Sequence, residues 1–358
     1  MRSGGSAREV CLDSLGLVTS RQRLLWAERT SRELFSQRRD AALGVAVSRS
    51  RTAPAEAAER FLADAGSRLR PRTLLAYRRH AERIRDWLER AGVASVEQVT
   101  PESLWRLREA ILLRGGASVT RQNACKRASV LLSWWRRAGL LPLCSQDVIA
   151  DATAAPPVPR PLPVVLSREQ IEALLAAALE DHWQRAAAVM LGLLTGVRPG
   201  ELVTMLWSQV DLPAQCLRIG TESKTGRGRV VDLAVSPLAL ELLEVMPRRA
   251  PRVLPWCRTS QVMYGWAVRW RKRPGVPPGW TWQHLRETCA THLVCAPGIY
   301  GGASAYMAAR RLGHSVAVAE RHYLGLVRVD PSARTLEDAL GVREALASVV
   351  ARARTHQS

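Results

Sequence analysis

In the first half of the chain, apolar residues recur at steps of three and four, the spacing of one helix face. One such face comprises Leu74, Tyr77, Ala81, Ile84 and Leu88. Helix starts are indicated at Pro54, at the pair Thr100–Pro101 and at Ser118. Gly139 marks the end of the last helix. The pattern therefore predicts a bundle of four helices.

A proline-rich segment then interrupts the helical pattern. Residues 152–165 contain five prolines, which is typical of an extended, semi-rigid linker. Beyond it, Ser167 with Gln170 predicts a helix that starts with a capping box. Two runs with strand character follow, Cys216–Ile219 and Arg229–Leu233. The predicted fold class is mainly α with a small β-sheet, with a mixed α/β domain after the N-terminal helical bundle.

These changes of pattern predict five parts of the chain. They are a basic N-terminal extension that either forms one or two helices or is partly disordered (1–52), a helical domain (53–151), the proline-rich linker (152–165), the mixed domain (166–340) and a C-terminal helix or tail (341–358).

The charge balance indicates a polyanionic partner. The formal net charge is +20, and only three of the basic residues are lysines: Lys126, Lys224 and Lys272. A GC-rich genome explains arginine in place of lysine, but it does not explain so large an excess over acids. We therefore expect a nucleic-acid partner, because such an excess steers a protein toward polyanions.

Cysteine usage and hydropathy indicate the compartment. None of the seven cysteines forms a C-x-x-C pair, so neither a disulfide framework nor a zinc site is expected. No apolar run approaches the roughly 20 residues of a membrane span. The N-terminus lacks the apolar region of a secretory signal. These features predict a cytoplasmic protein with no membrane contact, associated with the nucleoid when bound to DNA.

Five short segments follow one another in the second half of the chain. They are Thr195–Leu202 (TGVRPGEL, the first motif), Lys224–Gly226 (KTG), His284–Arg286 (HLR; with the preceding Gln283, the second motif), Leu312–His314 (LGH, the third motif) and, nine residues after that histidine, Tyr323. Among their side chains are two arginines, a lysine, a histidine and a tyrosine. These groups can cut a phosphodiester without a metal ion, since guanidinium forks hold phosphoryl oxygens and a tyrosine oxygen can attack phosphorus.

The order and spacing of these motifs resemble the tyrosine recombinase (phage integrase) family. The resemblance implies that Tyr323 is the nucleophile and that Arg198 and Arg286 clamp the scissile phosphate. It implies that Lys224, in the turn between the two strands, protonates the leaving 5′ oxygen. His314 would bind the phosphate or help to activate the tyrosine, and Glu201 would support Arg198.

One position departs from the family pattern. The histidine expected three residues before Arg286 is Gln283 here, and a histidine stands one position later, at His284. Gln283 can hydrogen-bond a phosphate oxygen but cannot move a proton. Adjacent helical residues point about 100° apart, so we do not expect His284 to replace the missing imidazole.

The resemblance also implies a helical core-binding (SAM-like) bundle before the integrase-type catalytic domain, with double-stranded DNA as the partner. Arg72, Arg121 and Lys126 are candidate DNA contacts. A homo-tetramer on paired DNA sites is implied, with no cofactor, metal or nucleotide. Two other functions remain open: a type IB topoisomerase, which rejoins the same strand, and a catalytically impaired DNA-binding relic, suggested by Gln283. An RNA-binding basic protein would explain the charge but not the ordered motifs.

Overall fold

The computed structural model describes most of the chain after residue 50 and a few residues before it. The described residues are 20, 23, 24, 26–28, 30, 31, 51–158, 162–220, 228–301, 304–323 and 327–356. Most of the predicted N-terminal extension therefore lies outside the described residues. The chain divides into two compact units, Met1–Arg160 and Pro161–Ser358, and each is described by itself.

The described part of the N-terminal unit is helical. Its α-helices are α1 (Pro54–Gly66), α2 (Pro71–Arg90), α3 (Pro101–Leu112), α4 (Ser118–Arg137) and α5 (Gln146–Ala152). The four predicted helices are confirmed. The fifth, α5, was not predicted, because it spans only seven residues and has too few turns for a periodic signal.

The capping residues that the sequence predicted for these helices are present. The Thr100 side chain accepts a hydrogen bond from the Ser103 backbone N–H and so caps α3. After α4, Gly139 has φ of +76°, a left-handed conformation that ends the helix at little steric cost. The buried faces of α1, α2 and α4 meet around Phe61, Leu88 and Trp135, which form one apolar core.

The C-terminal unit is also mainly helical. Its α-helices are α6 (Arg168–Asp181), α7 (Trp183–Thr195), α8 (Pro199–Thr204), α9 (Pro237–Val245), α10 (Ser260–Trp270), α11 (Trp282–Cys295), α12 (Pro297–Tyr300), α13 (Ser304–Leu312), α14 (Val316–Tyr323), α15 (Leu336–Leu340) and α16 (Arg343–Thr355). The predicted capping box of Ser167 and Gln170 is present at the start of α6.

A three-stranded antiparallel sheet accompanies these helices, with strand order β1 (Val210–Asp211), β2 (Cys216–Ile219) and β3 (Arg229–Asp232). Leu217 pairs with Val231 across β2 and β3. Both predicted strands are confirmed, and the fold class is confirmed as mainly α with a small β-sheet. The two-residue β1 was not predicted because so short a run carries no alternation. Residues 221–227 of the intervening turn lie outside the described residues.

Helix α7 lies at the centre of the C-terminal unit. Every residue from Ala186 to Thr195 is buried, which is typical of a helix that neighbours cover on all sides. It packs against α6, α11 and α16. Because α7 leads into Gly196 and Arg198, its burial fixes the position of the first motif relative to α11, which carries Arg286.

Among the described residues, no helix is both long and apolar enough to cross a membrane.

Candidate active site

Arg286 lies on the buried face of α11 and is only 4% exposed. Its Nη1 donates to the Gly196 carbonyl at 2.6 Å, and its Nη2 donates to the Leu312 carbonyl at 2.6 Å. Burial, together with nearby Arg198 and Arg229, lowers the pKa of Arg286 to about 10. The group stays cationic at neutral pH, and two backbone carbonyls fix the direction of its fork.

Gly196 makes this arrangement possible. It ends α7 with φ of +63°. A Cβ at this position would lie 2.7 Å from Leu312 Cδ2 and 2.8 Å from Cys289 Sγ, closer than real Cβ contacts. Glycine is therefore required both by the backbone conformation and by the close approach of the first and third motifs.

Arg198 and Glu201 form the pair that the sequence predicted. Arg198 Nη1 donates to Glu201 Oε1 at 2.9 Å, and the Arg198 backbone N–H donates to Oε2 at 2.8 Å. Arg198 Nη2 also makes a long contact, 3.4 Å, with the Gly313 carbonyl. The guanidinium is partly exposed, so Glu201 fixes its position while it remains open to a ligand.

Arg229, at the start of β3, is a buried arginine of the site that sequence reasoning missed. Its Nη1 and Nη2 donate to the two carboxylate oxygens of Glu201, at 3.0 and 2.5 Å. Its Nε donates to the Arg311 carbonyl at 2.9 Å. A usable signal existed: Arg229 lies two residues before apolar Val231, so strand alternation places both on one face. A buried arginine there requires an acidic partner.

Two arginines thus share one carboxylate. Burial alone would raise the pKa of Glu201, but hydrogen bonds from Arg229 and Arg198 outweigh it and bring the pKa to about 2. Glu201 is therefore ionised at neutral pH. With Arg286 included, three guanidinium groups surround one carboxylate, so the cluster has an uncompensated positive charge that suits an anionic ligand.

His314 and Tyr323 lie side by side, with ring centroids 5.7 Å apart. The His314 Nδ1 is 3.2 Å from the Ser315 carbonyl, which can only accept, so Nδ1 carries the proton. Burial lowers the pKa of His314, and the arginines of the site lower it further. The neutral ring then has a lone pair on Nε2, and this buried atom has no hydrogen-bond partner among the described residues.

Tyr323 ends α14 and is 8% exposed. Burial raises its pKa, while the nearby Arg286 acts in the opposite direction. The phenol is therefore protonated at neutral pH and needs a base to act as a nucleophile. The Nε2 lone pair of His314 can accept the phenol proton, so His314 is suited to that role. Because this nitrogen carries no hydrogen, it cannot donate a hydrogen bond to a phosphate oxygen.

The two polar residues of the second motif, Gln283 and His284, lie in different environments. The His284 Nδ1 accepts a hydrogen bond from the Thr281 backbone N–H at 3.2 Å, which closes the first turn of α11. His284 therefore serves the helix start, and that it does not replace the missing imidazole stays a prediction. Gln283 is exposed at the beginning of the same helix.

The remaining predicted residues belong to the N-terminal unit or lie outside the described residues. Lys224 belongs to the turn between β2 and β3 that is not described. In the N-terminal unit, Arg72 and Lys126 are exposed and Arg121 is partly exposed. The described residues contain no group of three His, Cys, Asp or Glu side chains that could hold a metal ion.

An open groove borders the cluster on the side of β3 and α13. Its lining includes Arg218, Arg229, Arg310, Arg311 and His314. Four arginines and one acidic residue, Asp232, line the groove, so its charge balance is positive, and His314 lies on its wall.

Comparison with known proteins identifies the fold. The model of the phage integrase family matches residues 164–325. A structure described as a lambda integrase tetramer bound to a Holliday junction aligns with a TM-score of 0.60 at 20% identity, covering 88% of each chain. The DNA-bound lambda integrase fragment 75–356 gives 0.58 at 19% identity, covering 76% of this chain and 96% of that one.

A third structure, the Tn1549 transposon integrase with a circular intermediate DNA, gives a TM-score of 0.53 at 13% identity, covering 79% of this chain and 98% of that one. No curated protein sequence is a significant match to the chain.

Proposed function

Because residues 164–325 belong to the phage integrase family, we propose that this protein is a tyrosine-type site-specific DNA recombinase. It cuts and rejoins DNA through a 3′-phosphotyrosyl intermediate. The observation that carries the proposal is the pairing of a buried tyrosine with a neutral histidine beside a fixed cluster of arginines. This arrangement supplies a nucleophile, a base and preorganised positive charge in one place.

In the proposed cleavage step, the Tyr323 oxygen attacks the scissile phosphorus. Its proton passes to His314 Nε2, the acceptor that faces no other partner among the described residues. The bond between phosphorus and the 5′ oxygen breaks as the tyrosine ester forms. The leaving 5′ oxygen takes a proton from Lys224, a role that this chain's retained lysine suits because an ammonium releases a proton more readily than a guanidinium.

Arg198 and Arg286 stabilise the charge that develops on the non-bridging oxygens. A guanidinium has five N–H groups. Arg286 uses Nη1 and Nη2 to bind the Gly196 and Leu312 carbonyls, which leaves other N–H groups for the phosphate. Since these carbonyls are already in place, no reorganisation is needed when the charge develops.

The rejoining step reverses this chemistry with a different strand. A 5′-hydroxyl of the partner duplex attacks the phosphotyrosyl ester, displaces Tyr323 and returns a proton to it. The energy of the phosphodiester is conserved in the ester, so the reaction needs no nucleotide cofactor. We propose double-stranded DNA as the partner and a homo-tetramer on paired sites as the working assembly, in line with the DNA-bound tetramer among the similar structures.

The second candidate function is that of a catalytically impaired DNA-binding relic. The observation that favours it is Gln283, an exposed residue where the family pattern has a histidine. Capture of covalent complexes on DNA that flanks the protein's own gene, with denaturing washes to remove non-covalent binding, tests both candidates and the type IB topoisomerase. The sequenced fragments then provide two differently labelled duplexes for an exchange assay. Hybrid duplexes support the recombinase. Adducts with relaxation of supercoils but no hybrids indicate a topoisomerase, and absence of adducts indicates the relic.

A further inference from the structure

We propose that Arg229 is a positioning residue of this site, which occupies Glu201 and so keeps Arg198 free to bind the phosphate. The inference rests on the proposed function, because it concerns how efficiently the cluster acts on a DNA phosphate. Arg229 itself is assigned no phosphate contact, because all three of its guanidinium nitrogens are bonded within the protein, Nη1 and Nη2 to Glu201 and Nε to the Arg311 carbonyl.

The division of Glu201 between two arginines is the first observation. Arg229 takes both carboxylate oxygens through its two terminal nitrogens. The Arg198 side chain is left with a single bond to Glu201, from Nη1 to Oε1. A carboxylate and a guanidinium prefer a two-bond fork. Without Arg229, Glu201 could therefore accept a second hydrogen bond from Arg198. That bond would turn the Arg198 guanidinium away from a ligand.

The contact between Arg229 and the third motif is the second observation. Its Nε donates to the Arg311 carbonyl, three residues before His314. Gly313, with φ of +71°, packs directly on the same side chain, since a Cβ there would lie 2.9 Å from Arg229 Cδ. One arginine thus holds the carboxylate that orients Arg198 and the backbone that carries His314.

A purely structural role predicts a different behaviour. If Arg229 only neutralised the buried Glu201, its loss would lower stability but leave the folded fraction fully active. If Arg229 positions the site, its loss slows the chemical step in correctly folded protein while DNA binding is maintained. The two roles therefore separate in the maximal single-turnover rate and the half-saturating DNA concentration.

The test compares wild type with Arg229→Met, Arg229→Lys and the double variant Arg229→Met/Glu201→Gln on a nicked suicide duplex made from the captured DNA. Arg343→Met is the matched control, because Arg343 is also bonded to an acidic residue, Asp338, at 2.8 Å. Circular dichroism and thermal unfolding verify that each full-length variant is folded.

For Arg229→Met we expect a maximal cleavage rate lower by about a hundredfold, the scale for misplacing a catalytic group by about 1 Å. The half-saturating DNA concentration should change little. Arg229→Lys should recover only part of the rate, because an ammonium cannot fork both oxygens. The double variant should be faster than Arg229→Met, since a neutral amide competes less for Arg198. The Arg343→Met control should match wild type.

Wild-type cleavage by Arg229→Met would overturn the inference, as would a double variant no faster than the single one. If Arg229→Met does not fold, Arg229→Lys provides the test, and a wild-type maximal rate in that variant overturns the inference. If wild type forms no adduct, the proposed function fails and the inference fails with it. If wild type reacts and the Arg229 variants react equally, the inference alone fails.

Discussion

Two arginines of the N-terminal unit and two of the C-terminal unit occupy opposite environments. In the N-terminal unit, Arg72 is exposed and Arg121 partly exposed, and neither side chain has an ion pair or hydrogen bond within the described residues. In the C-terminal unit, Arg286 and Arg311 are almost fully buried, and both donate to backbone carbonyls. The same residue type is therefore used in two physically different ways.

The difference shows what each environment contributes. An exposed arginine attracts a polyanion by charge alone, and its contribution falls with salt because it acts through counterion release. A buried arginine has lost its hydration and is held by fixed dipoles, so its direction matters as much as its charge. Lysine should replace the first kind of arginine and fail to replace the second.

Exchange of lysine for arginine in both units is the strongest test of this comparison. Arg286→Lys should reduce cleavage by more than about a hundredfold, because an ammonium cannot bind the Gly196 and Leu312 carbonyls and a phosphate together. Arg198→Ala should lose a similar factor. Arg121→Lys is the matched control and should keep wild-type cleavage and affinity. Single-turnover assays measure each rate, and equal rates in Arg286→Lys and Arg121→Lys would refute the distinction.

Removal of the exposed charges should produce a smaller effect of a different kind. The triple variant Arg72→Ala, Arg121→Ala, Lys126→Ala should bind DNA more weakly, with its logarithmic salt slope reduced by about 0.9 for each phosphate that is no longer neutralised. Its cleavage rate at saturating DNA should equal that of wild type. Fluorescence anisotropy over a salt series gives the slope, and an unchanged slope would show that these side chains do not bind phosphates.

The pH dependence of cleavage should sharpen the role assigned to His314. Burial lowers its pKa below the ordinary value of 6.5, so the ring is neutral at pH 7 and can accept the tyrosine proton. Protonation at lower pH removes that lone pair, so the rate should stay level down to about pH 6.5 and then fall. In His314→Gln the cleavage rate should be lower, and the decrease of the rate at acidic pH should be absent. A rate that rises on acidification would contradict the assignment.

The smallest effects are expected at the second motif. Gln283→His should leave the cleavage rate nearly unchanged, because the added imidazole would be exposed and the proton transfers are assigned to His314 and Lys224. His284→Ala should change the rate only slightly, since its ring serves Thr281 at the start of α11. A loss of about a hundredfold in His284→Ala with binding intact, the scale of a general acid–base role, would show that His284 is catalytic.

Structural features that depend on neighbouring residues could be predicted from the sequence. Periodicity and capping signals predicted the four long helices of the N-terminal unit and the start of α6. Contacts distant in sequence could not be derived from periodicity. The bonds of Arg286 to Gly196 and Leu312 join positions 90 and 26 residues apart.

The case of Arg229 shows why part of the site was missed. Motif reasoning assigned Glu201 a single partner, Arg198, because the two are close in sequence. The second partner comes from β3, 28 residues away, and only the folded sheet places it against the carboxylate. The tautomer of His314 could not be predicted from the sequence either, because it depends on the position of the Ser315 carbonyl.

The central claim is that Tyr323 becomes covalently bound to DNA. The most direct measurement is peptide mass spectrometry of the adduct trapped on a nicked suicide duplex, after nuclease and protease digestion. Wild type and the control Tyr300→Phe, which removes the hydroxyl of a partly buried tyrosine of the same unit, should both carry the nucleotide on the peptide that contains Tyr323. Tyr323→Phe should bind DNA with unchanged affinity and form no adduct. An adduct that persists in Tyr323→Phe, or a nucleotide mapped to a different residue, would contradict the account.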